Sequence, residues 1–243
     1  VVKVSLLDVG KTEKDLLFAC SDALINELEV NMLALPDTSG VLSPIEFSEI
    51  IKSVKDINKS NHSQLAVHCH NDMGLATANT IMGILSGACV AEVSALGIGE
   101  RNGIGDLFTV ANFLKKHGYS FDLNINDKDL FHEYYTYLNS LIIKKIGENI
   151  IDYRNPFWGE GVKTHTAGTH EISKISNFKD KKYYFNVLCG KSMLLNYLSN
   201  LDIYPSDYVA EKIVSVIKDQ SASLGRSLTM DEISGVVQSS LNS

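Results

Sequence analysis

A chain of 243 residues with 44% hydrophobic and 21% charged side chains has the material for one large core, or for a domain with an appendage. Its 29 acidic against 22 basic residues leave a formal charge of −7, which argues against nucleic acid or an anionic membrane as the main partner. Cys20, Cys69, Cys89 and Cys189 show no CxxC spacing and are too sparse for a disulfide framework, and no apolar run has the length of a membrane span, so a cytoplasmic protein with reduced thiols is expected.

The chain opens on Val1, already inside an apparent strand, which raises the expectation of a fragment or of one part of a split enzyme. Over the first 116 residues a strand–helix unit recurs. The apolar runs are "VVKVSLLDV", "NMLALPD", "LAVHCH" and "AEVSALGI". The helical patterns between and after them are roughly residues 14–28, "SPIEFSEIIKSVK", "LATANTIMGILSG" and "DLFTVANFLKKHG". In the second of these, Ile45, Phe47, Ile50, Ile51 and Val54 recur at the spacing of one buried helical face. Ser43 before Pro44 has the form of an N-cap followed by proline in the first turn. Gly118 after Lys115, Lys116 and His117 reads as a helix stop.

Near-continuous apolar strands alternating with helices predict a parallel sheet covered on both faces. Two architectures satisfy this: an open doubly wound sheet, or part of a (β/α)8 barrel, whose whole length is about 250 residues. In either, sites form at the carboxyl ends of the strands, where "DTSG", "HCHND" and "GIGERNG" fall.

Beyond about residue 120 the character changes. "DLFHEYYTYLNSLIIKKIG" is a predicted helix, and "DYRNPFWGEGVKTHTAGTHE" is loop-rich. "YYFNVLCGKSMLLNYLSNL", "DYVAEKIVSVIKDQSASLG" and "TMDEISGVVQSSL" read as helices or short strands, the last opened by a Thr229–Glu232 capping box. The expected division is therefore 1–120, a partial barrel, and 121–243, a helical C-terminal region. Trp158 and the Tyr134–Tyr135 pair read as core or interface aromatics.

In a strand, residues two apart share a face, so His68 and His70 present their imidazoles side by side while Cys69 turns the other way. Two imidazoles so placed suit adjacent positions around one divalent cation, which needs a third ligand and open positions as well. Polar residues held at a strand end by ordinary hydrogen bonds explain the same spacing. Asn71 and Asp72 fit either the support of those rings or the capping of the next helix. Glu100–Arg101 suits a structural ion pair as well as catalysis, and at Asp37–Thr38 a capping turn is the favoured local reading. "GIGERNG" lacks a third glycine in register and is no dinucleotide fingerprint.

Together, "LPDTSGVLSPIEF", "VHCHNDMGLATANT", "EVSALGIGERNGI" and "THTAGTH" resemble, in order and spacing, the homocitrate synthase/2-isopropylmalate synthase family. The likeness runs from about residue 4 to the end and is strongest over 35–116. "GIGERNGI" is more similar to the homocitrate synthases of the lysine pathway than to isopropylmalate synthases, which tend to read GERAGN.

The resemblance implies a (β/α)8 barrel followed by a helical region, with acetyl-CoA as co-substrate and a divalent cation (Mg, Mn or Zn) serving a condensation with a 2-oxo acid. The lead candidate is 2-oxoglutarate, giving homocitrate. It further implies that His68 and His70 bind the metal, that Thr38 and Arg101 contact substrate, and that His170 and Glu100 serve catalysis. The departures are as informative. The family's Arg-Asp-Gly-Glu strand has no counterpart here, Ala66 stands where many lysine-pathway members have Glu, and only Asp8 and Val9 loosely represent the acidic turn. The four units then correspond to barrel strands five to eight, and the chain is expected to associate with a complementary N-terminal half-barrel subunit or with itself, although self-pairing would not restore the missing arginine and carboxylate.

Overall fold

The computed structural model describes residues 1–59, 61–152, 154–165 and 182–241. The chain divides into two compact units, Val1–Ile150 and Ile151–Ser243.

The first unit is a four-stranded parallel sheet with strand order following chain order: β1 (Lys3–Ser5), β2 (Met32–Asp37), β3 (Gln64–Cys69) and β4 (Val90–Ala91). Between the strands run α1 (Lys14–Asp22, continued by a π-helical turn over Ala23–Glu27), α2 (Pro44–Ile57) and α3 (Ala76–Leu85), and α4 (Leu107–Lys116) follows β4. Right-handed crossovers between strands in sequential order place their helices on one face of a sheet. Among the described residues the strand order does not reverse, so they form no switch point of the doubly wound kind.

Of the two architectures open from the residues, the sheet follows the barrel type. It departs from the expectation of two covered faces. Register aligns Leu33, Leu35, Leu65, Val67 and Cys69 on one face, all buried, packed with Phe47, Ile50, Ile51 and Val54 of α2. The opposite face carries Lys3, Ser5, Gln64, His68 and Glu92, exposed or half-buried, around the small residues Ala34 and Ala66. Lys3 of β1 forms an ion pair with Glu92, just past β4, over this face. Three strand spacings are roughly 14 Å, so side chains from the two edges meet only because the sheet curls toward this face.

Local signals set the element ends. Ser43 accepts from the Glu46 amide while Glu46 accepts from Ser43, a complete capping box with Pro44 in the first turn. Asp106 caps α4 by accepting from the Thr109 amide and hydroxyl.

Helix α5 (Lys128–Ile146) belongs to the first unit, because Phe131 packs on Phe108 and the Tyr135 hydroxyl donates to Asp106 and accepts from the Phe108 amide. Tyr135 is thus a core aromatic, while Tyr134 is exposed.

The second unit has its own core. Helices α6 (Lys191–Ser199), α7 (Asp207–Leu224) and α8 (Met230–Leu241) bury Leu194, Leu198, Ile213, Ile217, Ile233 and Val237 together with Phe185. A two-residue parallel pair, β5 (Thr164–His165) and β6 (Lys182–Tyr183), completes it. The Thr229–Glu232 capping box forms, with Arg226 in a two-pronged pair to Glu232. Among the described residues, no helix is long and apolar enough to cross a membrane.

Candidate functional site

The carboxyl ends of the four strands gather the unusual residues. Asp37, the last residue of β2, is fully buried, yet its carboxylate accepts from the amides of Val41 and Leu42. A buried carboxylate is tolerated where backbone donors satisfy it; Asp37 braces the loop before α2, and the helix-capping expected at Asp37–Thr38 is done by Ser43 instead. Thr38 faces the neighbouring loop: its hydroxyl accepts from the Asp8 amide, while Asp8 in turn accepts from the Ser39 amide and hydroxyl.

Arg101 links these loops to the next. It donates from Nε and Nη2 to both oxygens of Asp72, at 2.8 and 2.9 Å, and from Nη2 to the Thr38 carbonyl at 2.5 Å. The guanidinium holds the Asp72 carboxyl below the usual carboxylate range, and Asp72 raises the Arg101 value in return. Asp8, Thr38–Ser39, Arg101 and Asp72 therefore form one chain of contacts across the four loops that follow the strands.

Gly40 makes the close approach possible. At φ +61° a Cβ there would lie 2.7 Å from Asp72 Oδ2 and 2.9 Å from the His70 carbonyl. In the fourth loop, a Cβ on Gly103 would meet the Gly97 carbonyl at 1.9 Å, so "GIGERNG" owes its glycines to folding tightly on itself.

His68 and His70 stand within this frame. Their rings lie 5.1 Å apart between centroids, tilted by 54°, as residues two apart on one strand face should. His68 is half-buried on β3, and its Nδ1 meets Glu92 Oε2 at 3.2 Å. His70 lies just past the strand, pinned by its amide to the Asp37 carbonyl and bridged to Ile104. Its Nδ1 is buried without a hydrogen-bond partner. Burial, then the charge of Arg101 and His68, lowers the His70 pKa, so the ring is neutral at neutral pH and has a lone pair to give.

An unmet buried nitrogen beside a second imidazole fits two positions around a divalent cation. Among the described residues, no group of three or more His, Cys, Asp or Glu side chains is placed to hold one.

The remaining predicted residues divide. Asn71 accepts from the Ala76 amide and so opens α3, while Asp72 serves Arg101. Glu100 reaches Arg101 only at 4.0 Å, and its side chain is 81% exposed. His170 lies outside the described residues. Sequence reasoning passed over Glu92 and Lys3. Their signal was a charged residue inside each of two apolar strand runs, on the same face as His68.

Residues 1–132 match the HMGL-like family. This chain belongs to that family. Among its relatives, a 2-isopropylmalate synthase of Sulfurisphaera tokodaii is 35% identical over 73% of this chain and 43% of its own length. A homocitrate synthase of Pyrococcus horikoshii is 32% identical over 76% of this chain and 52% of its own. The chain thus spans about half or less of the relatives it matches. The structure of an HMG-CoA lyase in complex with coenzyme A and 3-methylmalate superposes with a TM-score of 0.48 at 20% identity, covering 60% of this chain and 52% of that one. The HMGL-like family fold is of the TIM-barrel type, and the four-stranded parallel sheet is this chain's part of it.

Proposed function

We propose that this chain carries the metal-binding side of an enzyme condensing acetyl-CoA with a 2-oxo acid, and that its four strands are strands five to eight of the barrel. The paired imidazoles of His68 and His70 at the carboxyl end of β3 carry this reading, together with the likeness to 2-isopropylmalate and homocitrate synthases. Those imidazoles would hold a divalent cation (Mg, Mn or Zn) with a carboxylate supplied by other residues. When bound, such an ion acts as a Lewis acid toward the oxygens of a 2-oxo acid.

This chain's own residues supply the frame. Arg101 and Asp72 fix the loops around the histidines. Thr38 and Arg101, at the rim, are the substrate contacts. His170 is the group to move a proton at the acetyl methyl, with Glu100 as the second catalytic residue.

2-Oxoglutarate, giving homocitrate, is the first substrate on the strength of "GIGERNGI". 2-Oxoisovalerate, giving isopropylmalate, is the rival favoured by the Sulfurisphaera relative, with citramalate and citrate formation behind it. The other reading is a non-catalytic subunit whose half-barrel completes a partner chain in the cytoplasm.

A thiol-release assay with acetyl-CoA and each 2-oxo acid separates these. The 243-residue chain alone should release negligible thiol. Adding a chain that carries an Arg-Asp-Gly-Glu strand should give metal-dependent turnover, which His68→Ala abolishes. Full turnover by the chain alone would overturn the split-site reading, and unchanged turnover in His68→Ala would overturn the metal role.

A further inference from the structure

Glu92 stands one register step beyond the paired residues Val67 and Ala91, level with His68 on the inner face of the sheet. One of its carboxylate oxygens, Oε2, lies 3.2 Å from His68 Nδ1, and the other, Oε1, takes the ammonium of Lys3 from the far edge of the sheet. The Glu92 amide donates to the Val67 carbonyl, which fixes the backbone from which the side chain reaches out. The carboxylate is thus held on three sides: by the ladder, by the Lys3 charge and by the imidazole it faces.

We infer that Glu92 is a positioning residue for His68. An ionised carboxylate only accepts hydrogen bonds, so the nitrogen facing it carries the proton. That selects the Nδ1–H tautomer, in which Nε2 keeps its lone pair and is the atom offered to a cation. A carboxylate behind the second ring nitrogen also fixes the ring plane and raises the basicity of the donor. The two histidines then differ in kind. His68 is oriented by Glu92, whereas His70 is oriented by its backbone anchors and keeps a buried nitrogen without a hydrogen-bond partner. Lys3 has its own part: by sharing the carboxylate it holds Glu92 over the inner face, within reach of His68.

This inference rests on reading His68 and His70 as ligands, and the test separates the two ideas. Long-range proton–nitrogen NMR on the metal-free 243-residue chain, at a pH well above the ordinary imidazole value, reports the tautomer of each ring. His68 should be Nδ1–H, and Glu92→Ala should return it to the Nε2–H form that free imidazole side chains prefer. Lys3→Ala, which frees the carboxylate from its second partner, should move part of the His68 population from the Nδ1–H toward the Nε2–H form. An Nε2–H ring in the unsubstituted chain, or a tautomer indifferent to Glu92→Ala, overturns the assignment; the first reading stands even if the variant fails to fold.

Cobalt(II) titration, followed by its visible absorption, gives the second arm. Glu92→Ala should weaken the ion by about 10- to 100-fold, the usual cost of losing such a support. Equal affinity in the variant and the unsubstituted chain overturns the role. An unsubstituted chain that holds His68 as Nδ1–H but binds no cobalt even with the complementary Arg-Asp-Gly-Glu chain added supports the positioning role and removes the ligand reading alone.

Discussion

Gly40 joins two of the loops that carry the candidate site. Its left-handed φ of +61° excludes most side chains, and its Cα approaches Asp72 and the His70 carbonyl so closely that an added methyl group has no room. Gly40→Ala should therefore do two things at once. Backbone strain of this kind costs about 1–3 kcal/mol, readable as a lowered denaturant midpoint. Displacement of Asp72 should also release Arg101, seen as faster amide hydrogen exchange at Asn71 and Gly103. Unchanged exchange with lowered stability would show that Arg101 stays in place without Asp72. At this scale the sequence was readable where one period decides geometry: His68 and His70 share a face because strands repeat every two residues. The contacts of Arg101 with Asp72, 29 positions away, and with Thr38, 63 away, depend on loop shapes that no local pattern specifies.

Elements with strong end signals were readable almost to the residue, α2 above all, where Ser43, Pro44 and Glu46 form the box that their order suggests. Helix α5 was recognisable as a helix but not as part of the first unit. Of its 19 residues only Phe131 and Tyr135 are buried, too few to show in the pattern which core they join. That attachment is testable. Tyr135→Phe keeps the ring against Phe131 and removes the bonds to Asp106 and the Phe108 amide, so it should cost about 1–3 kcal/mol in thermal or denaturant unfolding. Loss of less than a few tenths would place the attachment in the ring alone.

Helix α8 offers a pH test. Arg226 and the Thr229 amide hold the Glu232 carboxyl down to about 2, from an ordinary 4.5. A folded-state value below the unfolded one means a stabilising contribution fully present above 4.5 and lost as pH falls through 2. Arg226→Ala should move the Glu232 midpoint, followed by carboxyl NMR, up toward 4.5. A midpoint that stays near 2 would assign the effect to the helix end alone.

At the scale of the molecule, alternation of strand and helix gave the class of fold, but not which sheet face is covered. The strand runs read as apolar throughout because their inner-face positions include Ala34, Ala66 and Val90, small or apolar residues scattered among Lys3, Ser5, Gln64, His68 and Glu92. Only register separates them, and it leaves a concave face with Lys3, Ser5 and Gln64 exposed and Ala34 and Ala66 beneath. The sheet ends in β1 on one side and β4 on the other, both short. Open parallel edges carry unpaired backbone groups that another strand can satisfy, and in barrels closure removes them. The chain should therefore associate through this sheet. Light scattering on the purified 243-residue protein should give a mass at a multiple of 26.7 kDa, or a mixed complex when a complementary half-barrel is supplied. Hydrogen exchange should then slow selectively at the outer amides of β1 and at those following β4. A 26.7 kDa monomer at tens of micromolar, with exchange unchanged on dilution, would mean that the edges are protected within the single chain, and the association would be wrong.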